Sequence, residues 1–212
     1  MEPSALKVIS RYGAGGDRVD LKAAARWGIA VCNTPGANAQ AVADLTLGLM
    51  LAAARRIPML DEKTREGKWT RSTGTELYGK TLGILGLGAI GKSVAKRGQG
   101  FELNEKTRHI ISRDVMERMK PGVILINSAR GGLIDETAAY DFLKSGHLGG
   151  LGLDAYETEP PTASPLFELD NVVCTPHTGS HTREATAAMA DMSVQNLIQV
   201  LNGEPCPYVL SA

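Results

Sequence analysis

One glycine-rich segment constrains the fold of this 212-residue chain more than any other feature. It reads Gly86-Leu87-Gly88-Ala89-Ile90-Gly91, follows the apolar run 81–85 and leads into a helical pattern over 91–97. In a strand-loop-helix unit, the first glycine of a G-x-G-x-x-G segment permits a tight turn, the second lets a phosphate group approach the backbone, and the third lets the helix pack on the strand. Amide groups at the helix start then bind phosphate oxygens. The segment therefore predicts a dinucleotide-type turn.

The same segment also satisfies a second phosphate-binding pattern, G-x-x-x-x-G-K-[ST], because Lys92 and Ser93 follow its last glycine. A phosphate-loop nucleotidase needs an apolar strand that ends in a magnesium-binding aspartate, and Leu151-Gly152-Leu153-Asp154 offers one. Gly88 and the apolar Ile90 inside the loop favour the dinucleotide turn. The nucleotidase, and a glycine-rich turn that binds nothing, stay open as alternatives.

The rest of the chain alternates short strand patterns with helical patterns, which indicates βαβ units and a parallel sheet. The predicted strands are 6–10, 29–32, 81–85, 123–126, 152–153 and Val172–Cys174. The predicted helices are 20–26, 38–56, 91–97, Glu136–Lys144 and 182–201, with a charged helical turn at 61–68. Asp20 and Asn38 are the predicted caps of the first two helices. In the second helix, Val42, Leu45 and Leu49 share one face, which we expect to be buried.

Charge and composition narrow the class of protein. Lys plus Arg and Asp plus Glu both number 23, so no net charge attracts a nucleic acid or a membrane surface. No apolar stretch reaches the ~18 residues of a membrane span, and the N-terminus lacks the pattern of a signal peptide. Three widely spaced cysteines, Cys32, Cys174 and Cys206, form no metal-binding pair and are predicted to be free thiols in a reducing cytoplasm.

Three polar side chains follow predicted strands of the second half: Arg130, Glu159 and His177. Ligands of an open α/β sheet bind beyond the carboxyl ends of its strands, so we expect these residues to converge on one crevice. An arginine holds a carboxylate through two parallel hydrogen bonds. A histidine can take a hydroxyl proton, and a nearby carboxylate orients its ring. Taken singly, each of the three is more typical of an ordinary turn or loop. His147 is predicted to be an ordinary cation at a helix C-terminus, and His109 and His181 are likewise given no functional role.

Together these segments resemble the D-isomer-specific 2-hydroxyacid dehydrogenases, most closely the phosphoglycerate dehydrogenase branch. The resemblance covers nearly the whole chain and depends on the order and spacing of the glycine loop, Ala-Arg-Gly-Gly, Asp, Glu-Pro and Pro-His. It implies a doubly wound parallel sheet, a Rossmann-like NAD-binding domain, over 39–180. Remnants of a flavodoxin-like substrate domain would occupy 1–38, with a C-terminal helix over 181–212 returning to that domain.

The resemblance also implies roles for individual residues. Arg130 would bind and polarise a 2-oxo acid, His177 would be the acid/base, and Glu159 its partner. Asp154 would lie near the nicotinamide carboxamide. Ala14 and Gly15 would hold the substrate carboxylate, in a loop made looser because Gly16 replaces the usual apolar residue. The other implied cofactor contacts are Gly86, Gly88, Ala89, Ile90, Gly91, Ser128, Ala129 and Gly179. The implied partners are NAD or NADP, a small D-2-hydroxy acid or 2-oxo acid, and a second copy of the chain, bound partly through helix 38–56.

The chain departs from the family after Gly100-Phe101, near 101–103, where further strands and helices of the nucleotide domain are normally found. They include the strand whose terminal acid holds the adenosine ribose. Glu102 and Glu105 lie near the expected offset, but no strand leads to them, so they are predicted to be solvated charges. We expect the missing strands to expose apolar edges of the sheet. A catalytically impaired nucleotide-binding or oligomerisation protein of this fold is therefore the alternative function. We further expect the natural protein to carry the missing segment and to exceed 22.5 kDa in an intact-mass measurement.

Overall fold

The computed structural model describes residues 6–98, 102–104 and 111–211. Within them the chain is an α/β protein whose short strands pair in parallel, as predicted. The strands are β1 (Val8–Ser10), β2 (Ala30–Cys32), β3 (Thr81–Gly83), β4 (Glu102–Asn104), β5 (Val123–Asn127), β6 (Leu148–Leu153) and β7 (Val172–Cys174). The helices are α1 (Leu21–Arg26), α2 (Ala39–Arg55), α3 (Ile57–Arg65), α4 (Ala89–Arg97), α5 (Arg113–Glu117), α6 (Glu136–Lys144) and α7 (Arg183–Leu201), with a 3-10 helix at Pro165–Glu168. No helix among the described residues combines the length and apolar character that a membrane crossing requires.

The first of two compact units contains the described residues up to Ala41 and those from Ser180 onward. Its strands β1 and β2 pair in parallel, and α7 packs against both. The Asp20 carboxylate accepts the Ala23 N–H at 2.8 Å, so the predicted cap of α1 is confirmed. The segment after α7 adds to β2, since the Leu210 N–H donates to the Val31 carbonyl at 2.7 Å.

The second unit spans Val42–Gly179 and contains a parallel sheet of order β5-β6-β7. Its main core is built from apolar side chains of β5, β6 and α6. They include Leu125, Ala138, Ala139, Leu143, Leu148, Leu151 and Leu153. Helix α2 buries Leu49 and Ala53 against Val173 of β7, which confirms the predicted buried face of this helix.

The start of α2 differs from the prediction, whereas its end at Arg55 lies within one residue of the predicted one. Asn38 does not cap the helix: its Oδ1 is buried and has no hydrogen-bond partner among the described residues. The Ala39 N–H instead donates to the Gly36 carbonyl at 3.1 Å. At the other end, Arg56 adopts a positive φ of 52°, and α3 begins directly after it with a proline in its first turn. The N–H groups in the first turn of a helix have no intrahelical partners, so a proline, which lacks an N–H, is tolerated there. Pro58 therefore lies at the start of α3.

The edge around β3 gives two further corrections. The strand predicted at 81–85 extends only over Thr81–Gly83, and Leu85 after it is 47% exposed, as expected where covering strands are missing. Residues 102–104 form β4, which pairs in parallel with β3, although no strand was predicted there. An extended strand needs partners for its N–H and C=O groups, and the next extended segment supplies them. Glu105 and His109 lie outside the described residues, and Glu102 is described only as part of the β4 backbone.

Candidate active site

The three predicted polar residues follow three adjacent strands. Arg130 comes after β5, Glu159 after β6 and His177 after β7, and the strands run parallel in this order. The last residues of the strands are aligned across the sheet. They are Asn127, Leu153 and Cys174. The loops that carry Arg130, Glu159 and His177 therefore start from one edge of the sheet, as the parallel arrangement predicts.

His177 and Glu159 form a hydrogen-bonded pair. The imidazole Nδ1 lies 2.7 Å from Glu159 Oε1, and the side chains are 42% and 24% exposed. Glu159 Oε1 is also within 3.4 Å of the Tyr156 N–H. In the described part of the chain, no hydrogen bond is found for the other ring nitrogen, Nε2, of His177. The pair thus has the form of an acid/base group, with one nitrogen oriented by a carboxylate and the other available for proton exchange.

His177 sits in a turn that Asp154 closes. Its φ of 51° lies in the left-handed region that non-glycine residues rarely adopt. The Asp154 side chain, in a residue only 2% exposed, accepts the Thr175 hydroxyl at 2.7 Å and the Thr178 N–H at 2.8 Å through Oδ1. Its Oδ2 accepts the Gly179 N–H at 2.9 Å. One buried carboxylate therefore binds the turn on both sides of His177 and holds its uncommon backbone conformation.

Tyr156 also joins two of the loops. Its hydroxyl donates to the Thr175 carbonyl at 2.8 Å, which links the segment after β6 to the segment after β7. The ring is buried, and burial raises the pKa of the phenol above its ordinary value. No motif or periodicity of the sequence distinguishes this tyrosine from a core residue, so its role is visible only in the fold.

The turn before Arg130 is held against neighbouring backbone. A Cβ at Gly131 would lie 1.7 Å from the Tyr156 carbonyl oxygen, so only glycine fits there. The Ser128 hydroxyl is 2.8 Å from the hydroxyl of Thr46 in α2, which itself donates to the Val42 carbonyl at 2.7 Å. Ser128 is therefore the donor in the pair. The turn is thus fixed from α2 on one side and from the β6 loop on the other.

The glycine loop has the strand-loop-helix context that was predicted. It connects β3 to α4, whose first turn begins at Ala89 and includes Ile90. Gly86 has a φ of 88°, and a Cβ at Gly91 would lie 2.0 Å from the Gly86 carbonyl oxygen. At Gly88 a Cβ would meet nothing within 4 Å. The first and third glycines are therefore required by the turn and its packing, while the second leaves the backbone open, so the loop fits a pyrophosphate at the start of α4.

The phosphate-loop alternative fits the geometry less well. Ser93 is 9% exposed, and its hydroxyl donates to the Ala89 carbonyl at 2.9 Å inside α4. In a phosphate loop, the corresponding hydroxyl binds magnesium. The glycine loop is therefore assigned to the dinucleotide type.

The loop that contains Ala14 and Gly15 lies in the first unit. Asn33 Nδ2 donates to the Ala14 carbonyl at 2.7 Å, and the Thr34 hydroxyl accepts the N–H of the residue before Ala14 at 3.0 Å. A Cβ at Gly16 would lie 2.6 Å from a methyl carbon of a leucine in the C-terminal segment. The loop that was expected to be loose is thus held by hydrogen bonds to two buried side chains.

Several known proteins are similar to this chain in sequence. The model of the family described as "D-isomer specific 2-hydroxyacid dehydrogenase, NAD binding domain" matches residues 47–104 and 102–179. A D-3-phosphoglycerate dehydrogenase from Methanocaldococcus jannaschii is 42% identical over 249 positions, which cover 97% of this chain and 48% of that protein. A hydroxypyruvate reductase from Thermotoga maritima is 41% identical to this chain. The match covers 92% of this chain and 78% of that protein. The chain spans about half the length of the phosphoglycerate dehydrogenases that it matches.

A solved structure agrees with these matches. The NADPH-dependent glyoxylate/hydroxypyruvate reductase from Sinorhizobium meliloti, in complex with NADP and malonate, superposes with a TM-score of 0.86 at 29% identity over 97% of this chain and 78% of that chain. The alignment with the Methanocaldococcus protein is longer, at 249 positions, than this chain of 212 residues, so that relative has residues without a counterpart here. The two segments matched by the family model meet at residues 102–104, where the sequence indicates the missing part.

Proposed function

Because this chain belongs to the D-isomer-specific 2-hydroxyacid dehydrogenases, we propose that it is an oxidoreductase acting between a small D-2-hydroxy acid and the corresponding 2-oxo acid. The observation that carries the proposal is the hydrogen bond of 2.7 Å between His177 and Glu159, on loops that follow adjacent strands. Such a pair supplies a proton to a forming hydroxyl or removes one from a hydroxyl that becomes a carbonyl.

The cofactor in this proposal is NAD, with NADP as the alternative to be assayed beside it. The open backbone at Gly88 and the amide groups at the start of α4 would bind its pyrophosphate. Ser128, Ala129, Asp154 and Gly179 would lie on the nicotinamide side. When bound, the nicotinamide supplies or accepts the hydride. The sequence identifies no acid at the end of a strand that would select NAD over NADP, so assays with both cofactors decide between them.

Arg130 and His177 have different proposed roles, in substrate binding and in proton transfer. The guanidinium of Arg130 would bind the 2-oxo acid and polarise its carbonyl, which favours negative charge on the carbonyl oxygen. His177 would then protonate that oxygen through Nε2, while Glu159 keeps the ring in place and stabilises its charged form. Ala14 and Gly15 would hold the substrate carboxylate with backbone N–H groups. In the reverse direction, the same residues remove the hydroxyl proton.

We also propose how the chain is divided and assembled. The unit Val42–Gly179 would be the dinucleotide-binding domain, and the other unit would belong to the substrate domain. A homodimer would form partly through α2 and the segment after it, where Leu51 is 50%, Ile57 51% and Trp69 86% exposed. Three free thiols support the cytoplasm as the location. Light scattering coupled to size-exclusion chromatography measures the mass of the wild-type chain and of Trp69→Ala. A dimer mass for the wild type and a shift towards the monomer for the variant are expected.

A second candidate function has one observation in its favour. The apolar side chains of Leu85 and Leu87 are 47% and 56% exposed beside the glycine loop, where a complete parallel sheet would cover them. A chain of this kind could keep nucleotide binding or subunit association and lose turnover. Binding of NADH without reduction of any 2-oxo acid is the result that this alternative predicts.

One assay tests the proposed function. Absorbance at the reduced-nicotinamide band is followed with phosphohydroxypyruvate, hydroxypyruvate and glyoxylate, for the wild-type chain, His177→Ala and the control His181→Ala. We expect turnover by the wild type, its loss in His177→Ala and its retention in His181→Ala, because His181 is exposed and outside the site. If the wild type turns over none of the acids, the proposal that this chain is an oxidoreductase is rejected. Equal turnover by all three chains rejects the role of His177.

A further inference from the structure

We propose that Asn127 is a positioning residue for the reaction, acting through the turn that carries Arg130. The proposal deepens the proposed function and rests on it. Asn127 is the last residue of β5 and is 5% exposed. It precedes Arg130 by three residues, and no substrate or cofactor role was assigned to it on sequence grounds. Its side chain bonds the backbone of the turn that carries Arg130.

The side-chain amide of Asn127 bonds the turn at two consecutive residues. Its Oδ1 accepts the Ala129 N–H at 3.2 Å, and its Nδ2 donates to the Arg130 carbonyl at 2.8 Å. The same Nδ2 is 3.5 Å from the Ala155 carbonyl, in the loop that follows β6. The backbone carbonyl of Asn127 also accepts the Asp154 N–H at 2.8 Å. One residue therefore connects the turn before Arg130 to the loop of the neighbouring strand.

Only an amide can make this set of bonds. Oδ1 is an acceptor and Nδ2 a donor, so an aspartate would place a second acceptor against the Arg130 carbonyl, and an alanine would remove both bonds to the turn. Because the site of Asn127 is buried, water is poorly placed to replace the lost bonds. Replacing the amide nitrogen of Asn127 with a carboxylate oxygen would therefore be enough to break the hydrogen bond to the Arg130 carbonyl.

The guanidinium of Arg130 follows the turn. Its Nη1 donates to the Ala129 carbonyl at 2.8 Å, so the side chain is attached to the same backbone that Asn127 fixes. Two-point binding of a carboxylate by arginine depends on the orientation of the planar group. A displacement of the turn would therefore weaken substrate binding and misalign the polarised carbonyl. Binding of the cofactor pyrophosphate at the separate glycine loop would not depend on this turn, whereas the nicotinamide end, beside Ser128 and Ala129, would be affected less directly than the substrate.

The first test uses kinetics of the full chain. We expect Asn127→Ala and Asn127→Asp to lower kcat/KM for the 2-oxo acid, measured at saturating NADH, by about 10- to 100-fold, as small misplacements of a binding group do, with a smaller loss of NADH affinity. In an Arg130→Ala background, Asn127→Ala should have little further effect, because a residue that acts through Arg130 has nothing left to position. An undiminished loss of kcat/KM in that background would show a general structural role and overturn the proposal.

The second test does not need turnover. Hydrogen exchange of the Ala129 amide, whose acceptor is Asn127 Oδ1, should become faster in both Asn127 variants. The matched control is Ser164→Ala, which removes a side-chain acceptor 3.4 Å from the Leu166 N–H in the same unit. It should change neither the exchange of Ala129 nor the kinetic constants. If an Asn127 variant does not fold by circular dichroism, the other serves in its place.

The two tests separate two kinds of failure. Unchanged exchange at Ala129 in a folded Asn127 variant overturns the positioning role, whatever the kinetics. A wild-type chain that reduces no 2-oxo acid rejects the proposed function, and in that case the exchange of Ala129 still decides whether Asn127 holds the turn.

Discussion

The imidazole of His177 lies 2.7 Å from the carboxylate of Glu159, although the two residues follow different strands and are separated by 17 others along the chain. The bond forms because β6 and β7 are neighbours whose carboxyl ends are aligned. The pair that we propose for proton transfer is thereby built from two loops, and the Asp154 carboxylate closes the histidine turn.

Removal of the Glu159 charge should impair catalysis specifically. A glutamine can still accept a hydrogen bond from the imidazole but cannot stabilise its positive charge, so Glu159→Gln is expected to lower kcat by about 10- to 100-fold. The matched control is Glu157→Gln, because Glu157 is exposed and its carboxylate accepts the Glu136 N–H at 3.0 Å. Steady-state kinetics with a 2-oxo acid compare the two. An equal loss in both variants would contradict a special role for Glu159.

Asp154→Asn should loosen the turn that carries His177. An asparagine has a single acceptor oxygen, so at least one of the three donors at Asp154 loses its partner, and we expect a loss of about 1–3 kcal/mol in the free energy of unfolding. Urea denaturation measures this quantity. Asp170→Asn, on the exposed loop before β7, should stay within about 0.5 kcal/mol of the wild type. A change no larger than that in Asp154→Asn would refute the closing role of the carboxylate.

Two glycines of the cofactor loop should respond differently to substitution. Gly88 has a φ of −71°, and a Cβ at this position would have nothing within 4 Å, so Gly88→Val should leave the melting temperature unchanged and weaken NADH binding. Gly91→Ala should destabilise the fold by about 1–3 kcal/mol, because the new Cβ meets the Gly86 carbonyl oxygen. Fluorescence titration with NADH and thermal unfolding distinguish the two effects. NADH binding by Gly88→Val as tight as that of the wild type would argue against a pyrophosphate at this loop.

Stability should fall at high pH through Cys32. Burial, the hydrogen bond to Cys206 and its charge raise the pKa of the Cys32 thiol from 9.0 to about 11. Between these values the folded chain retains a proton that the unfolded chain has lost. The free energy of unfolding is therefore not reduced by this thiol below about pH 9, and it falls as the pH rises from about 9 to about 11. Urea unfolding across this range should show a steeper decline for the wild type than for Cys32→Ala. Parallel curves would count against the prediction.

Mild oxidation should join Cys32 to Cys206, because their sulfur atoms are 3.7 Å apart. A small-molecule disulfide, such as oxidised glutathione, would accept the two electrons and leave as two thiols, and the protein would lose two hydrogen atoms in the new sulfur–sulfur bond. Mass spectrometry of peptides detects the cross-link, which Cys206→Ser should abolish. A cross-link that instead involves Cys174 would show that the spacing of the pair does not govern the reaction.

Much of this protein follows from local patterns. The bounds of α6 and β7 agree with the predicted ones, and α1 has its predicted cap at Asp20, because helical spacing, strand runs and caps depend on residues a few positions apart. Those patterns also place Arg130, Glu159 and His177 after strands, and the parallel pairing of strands then brings their loops to one edge.

Contacts between distant segments had no such signal. The bonds of Asp154 to the His177 turn and of Asn127 to the Arg130 turn depend on which strands are neighbours and on their register. The same holds for β4, which pairs with the open edge of β3. The sequence by itself thus determined the elements, the glycine loop and the chemical groups of the site. Only the tertiary structure decided which buried side chains hold those groups, because a hydrogen bond across strands requires a geometry that neither residue encodes alone.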